Sequence, residues 1–336
     1  MASQESTREA SHADSWYSAS KSQLNAQLDA WLAAVPTPVK CIGPRTEGQS
    51  ITDLPVPGAR MIIAPHAGYS YSGPAAAWAY RSWDVSKAKR VFLLGPSHHH
   101  YLTKAALTRC THYATPLGNL PIDRATTTEL HQTGQFEWMT QSVDEDEHSL
   151  EMHLPYIYKI LSKTFGTDPT AFPPLTPIMI GNTPPATEIH LGRLLAPYLA
   201  DPATAFVVSS DFAHWGLRFR YTLYRSPGSP QQTLTANSSS SGGRPRNGPA
   251  IHESIRAVDF ECIGACESGS HWAWLEALEE TGNTVCGRHP IGVVMAGVEE
   301  VWKSGGGGGE GRERAGFFKF VRYERSSEVR SVSESS

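Results

Sequence analysis

No run of this sequence is long and apolar enough to cross a bilayer, which takes roughly 18–20 residues. The start, Met1-Ala2-Ser3-Gln4-Glu5, has neither the basic residues nor the apolar core of a secretory signal. Cysteine is scarce: five in 336 residues, at 41, 110, 262, 266 and 286, none of them in a C-x-x-C pair. That spacing excludes a disulfide scaffold and a zinc ribbon, and it fits a reducing interior. The expected location is the cytoplasm, with the nucleus as the alternative. Charge is also sparse, at 18% of residues and a net −4. No lysine- or arginine-dense face is present, so nucleic acid is not an expected partner. Three catalytic signatures are missing as well: the G-x-S-x-G elbow, a phosphate-binding glycine loop and H-E-x-x-H.

What the chain does have is histidine, fourteen in all, several of them placed directly after apolar runs. Phe206-Val207-Val208 reads as a buried strand of a parallel sheet that stops at Ser209-Ser210 and delivers Asp211 and His214. Met61 to Ala64 delivers His66 in the same way, and Val91 to Leu94 delivers His98. In open α/β sheets ligands bind beyond the carboxyl ends of strands. Three such units are therefore expected to converge on one site. Imidazole and thiolate suit borderline and soft transition metals better than magnesium or calcium. His66, His98 and Cys286 are the candidate ligands, with Asp211 and His214 beside them. Three protein donors leave positions open for water, dioxygen or a substrate. His214 could act as a general acid or base, since imidazole titrates near neutrality. Asp211 could orient it. Against this, a lone histidine is more often structural than a ligand, and a lone cysteine is commonly a small buried hydrophobe. Cys262 and Cys266 are expected in the core, and His99 and His100 at the surface.

The remaining chain reads as connecting structure. Ser20 with Gln23 has capping-box spacing before a helix whose face holds Leu24, Leu28, Leu32 and Val35. A short helix is expected over Ala75 to Tyr80. Leu175 to Ile180 reads as a strand that Pro177 makes short or edge-placed. Helices are expected over Glu188 to Leu199, at about 251–262 and at about 270–280, and a last strand over Phe317 to Tyr323. The acidic stretch from Asp144 to Glu151 has two readings: charges favouring a helix N-terminus, or an inward polar cluster of Glu147, His148 and Glu151. Residues 226–250 are rich in Ser, Pro and Gly and read as a mobile surface insertion. No linker separates two domains, so one domain over 1–336 is expected.

Six motifs, in order, carry a resemblance: Ser11-His12-Ala13 with Ser15-Trp16-Tyr17; Ala64 to Tyr69; Gly95 to His99; Asp144 to Pro155; Ser209 to Gly216; and Cys286 to Gly292. Together, from about residue 8 to 302, they resemble the Memo family, mediators of receptor-tyrosine-kinase-driven cell motility. The resemblance implies a three-layer α/β/α sandwich around a mixed β-sheet, like the class III extradiol dioxygenases. It implies His66, His98 and Cys286 as metal ligands, Asp211 and His214 as the other pocket residues, and copper- or iron-dependent redox chemistry of unknown substrate. The alternative it implies is a non-catalytic binding protein for phosphotyrosine or other peptide motifs in cytoskeletal signalling; Arg218, Arg220 and Arg288 could supply the bidentate anion contacts such binding needs. The chain departs from the family at Asp14, where glycine is usual, and in the length of the 226–250 insertion. It ends where related chains continue into a further strand, so a truncated C-terminus is expected. A cysteine in the ligand set argues against true ring cleavage, which uses two histidines and a carboxylate on iron.

Overall fold

The computed structural model describes residues 5–226, 228, 230–235, 248–304 and 317–336. Backbone contacts group the chain into two compact units, the first of Met1–Val39, Ser50–Asp211 and Gly287–Arg312, the second of Lys40–Gln49, Phe212–Cys286 and Glu313–Ser336.

The first unit is built on a six-stranded mixed sheet flanked by helices. Its spatial order is Met61–Ala64, Thr204–Ser209, Arg90–Pro96, Leu175–Ile180, Ala105–Leu107 and Phe136–Trp138. The first four run parallel, Ala105–Leu107 pairs antiparallel to Leu175–Ile180, and Phe136–Trp138 is parallel to Ala105–Leu107. The two strands Thr204–Ser209 and Leu175–Ile180 are buried at every residue, which is why they read as continuous rather than alternating apolar runs. Helix Lys21–Ala34 starts at Ser20, whose side chain accepts from the Gln23 N–H, and Leu24, Leu28, Leu32 and Val35 are all buried. Helix Tyr69–Ser82 packs on it and on the Met61–Ala64 strand. Helices Pro185–Ala200 and Arg288–Ser304 pack against each other where Gly192 and Gly297 meet. A Cβ on Gly192 would stand 2.6 Å from the Gly297 nitrogen, so this close approach requires glycine.

Two expectations change here. The helix expected over Ala75 to Tyr80 begins at Tyr69 and contains Pro74. The proline lies past the first turn, where it removes the bond to the Ser70 carbonyl, yet the helix continues to Ser82. Leu175–Ile180 is neither short nor at an edge: it has six residues and a strand on each side. The Pro174 and Ile180 carbonyls accept from the Val91 and Ser97 N–H groups. Alternation therefore turns Pro177 towards the other flank, where the Ala105–Leu107 strand pairs only from Ile178 onward. The missing N–H therefore falls where that pairing ends rather than in its middle.

The second unit packs helices Ile251–Glu267 and His271–Thr281 against each other, and Leu223–Tyr224 pairs with Gln232–Thr233. Its core holds Trp215, Tyr224, Leu234, Ile251, Ile255, Val329 and Val332. Leu234 thus revises the reading of 226–250 as a mobile insertion. Its N–H donates to the Thr222 carbonyl (3.0 Å), and it is 2% exposed because an apolar side chain was available to seal this small core. The serine- and glycine-rich tract 238–243 within that insertion lies outside the described residues, as does the glycine run 305–309. Phe317 to Tyr323 forms no strand. Its groups are met singly: the Ile42 N–H donates to the Phe320 carbonyl (2.7 Å) and the Tyr323 hydroxyl to Asp259 Oδ2 (2.8 Å).

Candidate metal centre

Register brings three strand ends level. Ser209 pairs with Ala64 and Val208 with Leu94, so the residues that follow leave one edge of the sheet together. The His66 N–H donates to Asp211 Oδ1 (3.0 Å), and Asp211 Oδ2 lies 3.8 Å from His66 Nε2. His66 Nδ1 lies 2.5 Å from Ser209 Oγ, whose single proton goes to the Ser149 carbonyl (2.8 Å). The hydroxyl must therefore accept at Nδ1, which assigns the His66 proton to that nitrogen. His98 Nδ1 lies 2.8 Å from Glu147 Oε1, and the His98 N–H donates to Glu147 Oε2 (2.6 Å). A carboxylate only accepts, so His98 also carries its proton on Nδ1. In both rings Nε2 is then the nitrogen placed to ligate, and at His66 it also faces Asp211 Oδ2. Their centroids are 5.2 Å apart, and ligand atoms of the two fall within 4.8 Å.

The acidic stretch turns out to serve both readings at once. Two short helices, Gln141–Asp146 and His148–Glu151, are broken at Glu147, which caps the second by accepting from the Ser149 N–H (2.8 Å). Asp144, Glu147 and Glu151 are all buried. Arg8, fully buried, donates to Glu151 Oε2 (2.7 Å), to Asp144 Oδ1 (3.1 Å) and to the Asp144 and Glu147 carbonyls. Glu151 also accepts from the Tyr17 hydroxyl (2.8 Å) and from His12 through both its backbone N–H (2.8 Å) and Nδ1 (2.9 Å). Burial alone would raise the Glu151 carboxyl. The His12 bond and the Arg8 charge outweigh it and hold the group down at about 2. Glu147 is also held at about 2, burial being overcome by the His98 ring. At Asp144 burial prevails over Arg8, and the carboxyl is raised.

Two further imidazoles are neutral by burial. His148, its ring stacked 4.4 Å from His98 and tilted 4.5 Å from Trp16, is pushed well down from the usual imidazole range by burial. His153 is fully buried with Nδ1 2.8 Å from the Tyr80 hydroxyl, and burial lowers it to about 3. The pH consequence has one sign. On acidification the unfolded chain protonates the His153 imidazole near 6.5 and the Glu151 carboxyl near 4.5, while the folded groups resist to about 3 and about 2. The unfolded state then binds more protons, so stability falls with pH from about 6.5 to about 2, by on the order of 3 kcal/mol for Glu151 alone. Urea midpoints at pH 7, 5 and 3.5 should fall in that order; a flat series would contradict the assignment.

In the second unit, the His214 N–H donates to Thr284 Oγ1 (2.7 Å), and Nδ1 faces the Phe212 and Thr284 carbonyls at 3.0 and 3.3 Å. Two carbonyl acceptors place a proton on Nδ1, which leaves Nε2 as the nitrogen facing away from them. A ligand atom of His214 and one of Cys286 lie within 4.8 Å. Asp259 fixes this turn, accepting from the Ala213 N–H (3.1 Å), Asn283 Nδ2 (2.9 Å) and the Tyr323 hydroxyl, and burial raises it to about 6. The ring against His214 is Phe219 at 5.2 Å, whereas Trp215 belongs to the core. Cys286 is joined directly to Gly287 of the first unit. The Gly287 N–H donates to Ser210 Oγ (3.2 Å), and a Cβ there would stand 2.3 Å from the Ser209 carbonyl oxygen. Only glycine fits against that strand end.

Of the residues expected to form the site, His66, His98 and Asp211 therefore come together in the first unit, and His214 and Cys286 in the second. His99 and His100 are exposed, and Cys262 and Cys266 are buried, as expected. Sequence reasoning missed Arg8, His12, Ser149 and Ser209. Ser209, at the end of the central strand, left a signal there, and His12 and Ser149 lie within motifs that carry the resemblance. Arg218 and Arg220 lie in the second unit and Arg288 in the first, all exposed.

The profile of the family described as Memo-like protein matches residues 8–336, past the limit near 302 suggested by the motifs. Protein MEMO1 of Xenopus tropicalis is 41% identical over 329 residues, spanning 98% of this chain and 94% of that one. Protein MEMO1 of Homo sapiens is 40% identical over the same spans. The memo-1 homolog of Caenorhabditis elegans is 36% identical over 332 residues, spanning 99% of this chain and 81% of its own. Among solved structures, the uncharacterized protein JW3007 of Escherichia coli K12 overlaps 63% of this chain and 76% of its own, at 14% identity and a TM-score of 0.32. That distance carries no argument about this chain. No helix among the described residues is long and apolar enough to cross a membrane. Matched along nearly its whole length by the family profile and by these relatives, the chain belongs to the Memo-like protein family.

Proposed function

We propose that this chain is a copper- or iron-dependent oxidoreductase that holds its metal on His66, His98 and Cys286. The observation that carries the reading is that both histidines turn Nδ1 to a fixed acceptor on the protein. Each histidine donates through Nδ1 to its acceptor, which presents Nε2 of both rings as the ligating nitrogens at the same edge of the sheet. That is the state in which histidine ligates. Cys286 would bind as thiolate, and this donor set favours copper or iron over hard cations. The bound metal would supply one-electron chemistry and an open position for dioxygen or a small substrate. Asp211 holds the His66 backbone, and His214 takes or gives a proton at Nε2.

The test is elemental analysis of protein purified without added metal, followed by oxygen consumption with and without copper. About one ion per chain is expected, falling to near zero in His66→Ala and His98→Ala while the fold persists. Unchanged stoichiometry in both variants would sink the reading. It would leave the family's other implied role, recognition of phosphotyrosine peptides without catalysis, as the better account.

A further inference from the structure

We infer that Glu147 is a positioning residue that makes the two ligand histidines unequal, turning His98 into the stronger donor. The inference rests on the metal reading above. The Glu147 side chain is 1% exposed, and each oxygen is engaged by a donor: Oε2 by the His98 N–H, Oε1 by His98 Nδ1 and by the Ser149 N–H. One carboxylate thus grips both the backbone and the ring of the same histidine. That fixes the ring's rotation as well as its tautomer. His66 is held differently. Its Nδ1 meets the neutral Ser209 hydroxyl, which passes its own proton to the Ser149 carbonyl. The turn 147–149 therefore supports both ligands, one through a full negative charge and the other through a relayed carbonyl dipole. A carboxylate behind an imidazole raises the basicity of the opposite nitrogen, and losing such a partner typically costs 10–100-fold in metal affinity.

A bland role, capping the short helix through the Ser149 N–H, is present too, so the test must remove charge without removing the cap. Glu147→Gln does this, because its amide oxygen can still accept from Nδ1–H and from the Ser149 N–H, while its NH2 replaces Oε2 and gives up only the bond from the His98 N–H. A rival arrangement must also be separated. Ligand atoms of His98, Glu147 and His148 lie within 4.8 Å of one another, and His148 Nδ1 is buried without a hydrogen bond. A second ion there would replace the proton between His98 and Glu147.

The experiment compares the full chain with its E147Q variant, each loaded with copper, by stoichiometry, by chelator competition and by midpoint potential. One ion per chain is expected in both. E147Q should bind copper(II) 10–100-fold more weakly, and its potential should move upward by about 59 mV for each tenfold by which the oxidised ion is loosened more than the reduced one. A merely structural role would leave the potential unmoved. Equal affinity and potential in the two proteins would overturn the inference while the metal reading stood. Absence of metal from the parent chain would instead overturn the reading beneath it. Two ions in the parent and one in E147Q would make Glu147 a ligand and also overturn the inference. If E147Q does not fold, the nitrogen shifts of histidine in the metal-free parent decide: Nδ1–H at His98 is expected, and Nε2–H would refute it.

Discussion

Replacing Arg8 by methionine is expected to lower the unfolding free energy by about 3–5 kcal/mol, the usual result of deleting one partner from a buried ion pair. The methionine would occupy the side-chain stem and supply none of the hydrogen bonds that Arg8 gives to Glu151, Asp144 and the two carbonyls. Glu151 would keep His12 and Tyr17 as donors, but it would be a buried anion without its guanidinium. The measurement is the urea midpoint of the metal-free protein at pH 7. Adding Glu151→Gln to the variant should recover part of the loss, since the uncompensated charge is then gone. A loss below about 1 kcal/mol would show that water reaches these carboxylates and that the pair behaves like a surface one.

The second large effect is on turnover. His214→Gln should retain the metal and lower any metal-dependent rate by about 10²–10⁴-fold, the range for a lost general acid–base group. The argument is the proton's position: carbonyls on Phe212 and Thr284 keep it on Nδ1, which leaves Nε2 as the atom able to take another. A fall in metal content together with activity would make His214 a ligand instead. If neither changed, His214 would be structural.

The parts of the fold visible in the sequence are those set by short-range pattern. Apolar runs that stop at polar residues gave the three parallel strands, and with them His66, His98 and Asp211. Ser20 and the leucines at helical spacing gave the first helix. What the sequence concealed depends on register or on distant partners. Pro177 marked an edge strand only as long as both flanks were assumed to pair along their full length. Arg8 and Glu151 are 143 residues apart, and no periodicity links a single arginine in a polar tail to a glutamate in an acidic stretch. Leu234 was hidden by its low-complexity neighbours. Asp14, by contrast, was noticed as a departure from glycine, and the reason is conformational: its φ is 71°, a region that glycine enters freely and aspartate more readily than most residues.

The position of the Met61–Ala64 strand has a consequence for synthesis. Among the described residues its one neighbour in the sheet is Thr204–Ser209, so the strand that carries His66 leaves the ribosome about 140 residues before that partner exists. At roughly 5–20 residues per second that wait lasts about 7–28 seconds. During it, an apolar strand with both edges open depends on the helices already made, Lys21–Ala34 before it and Tyr69–Ser82 after it, to keep it from pairing with another chain.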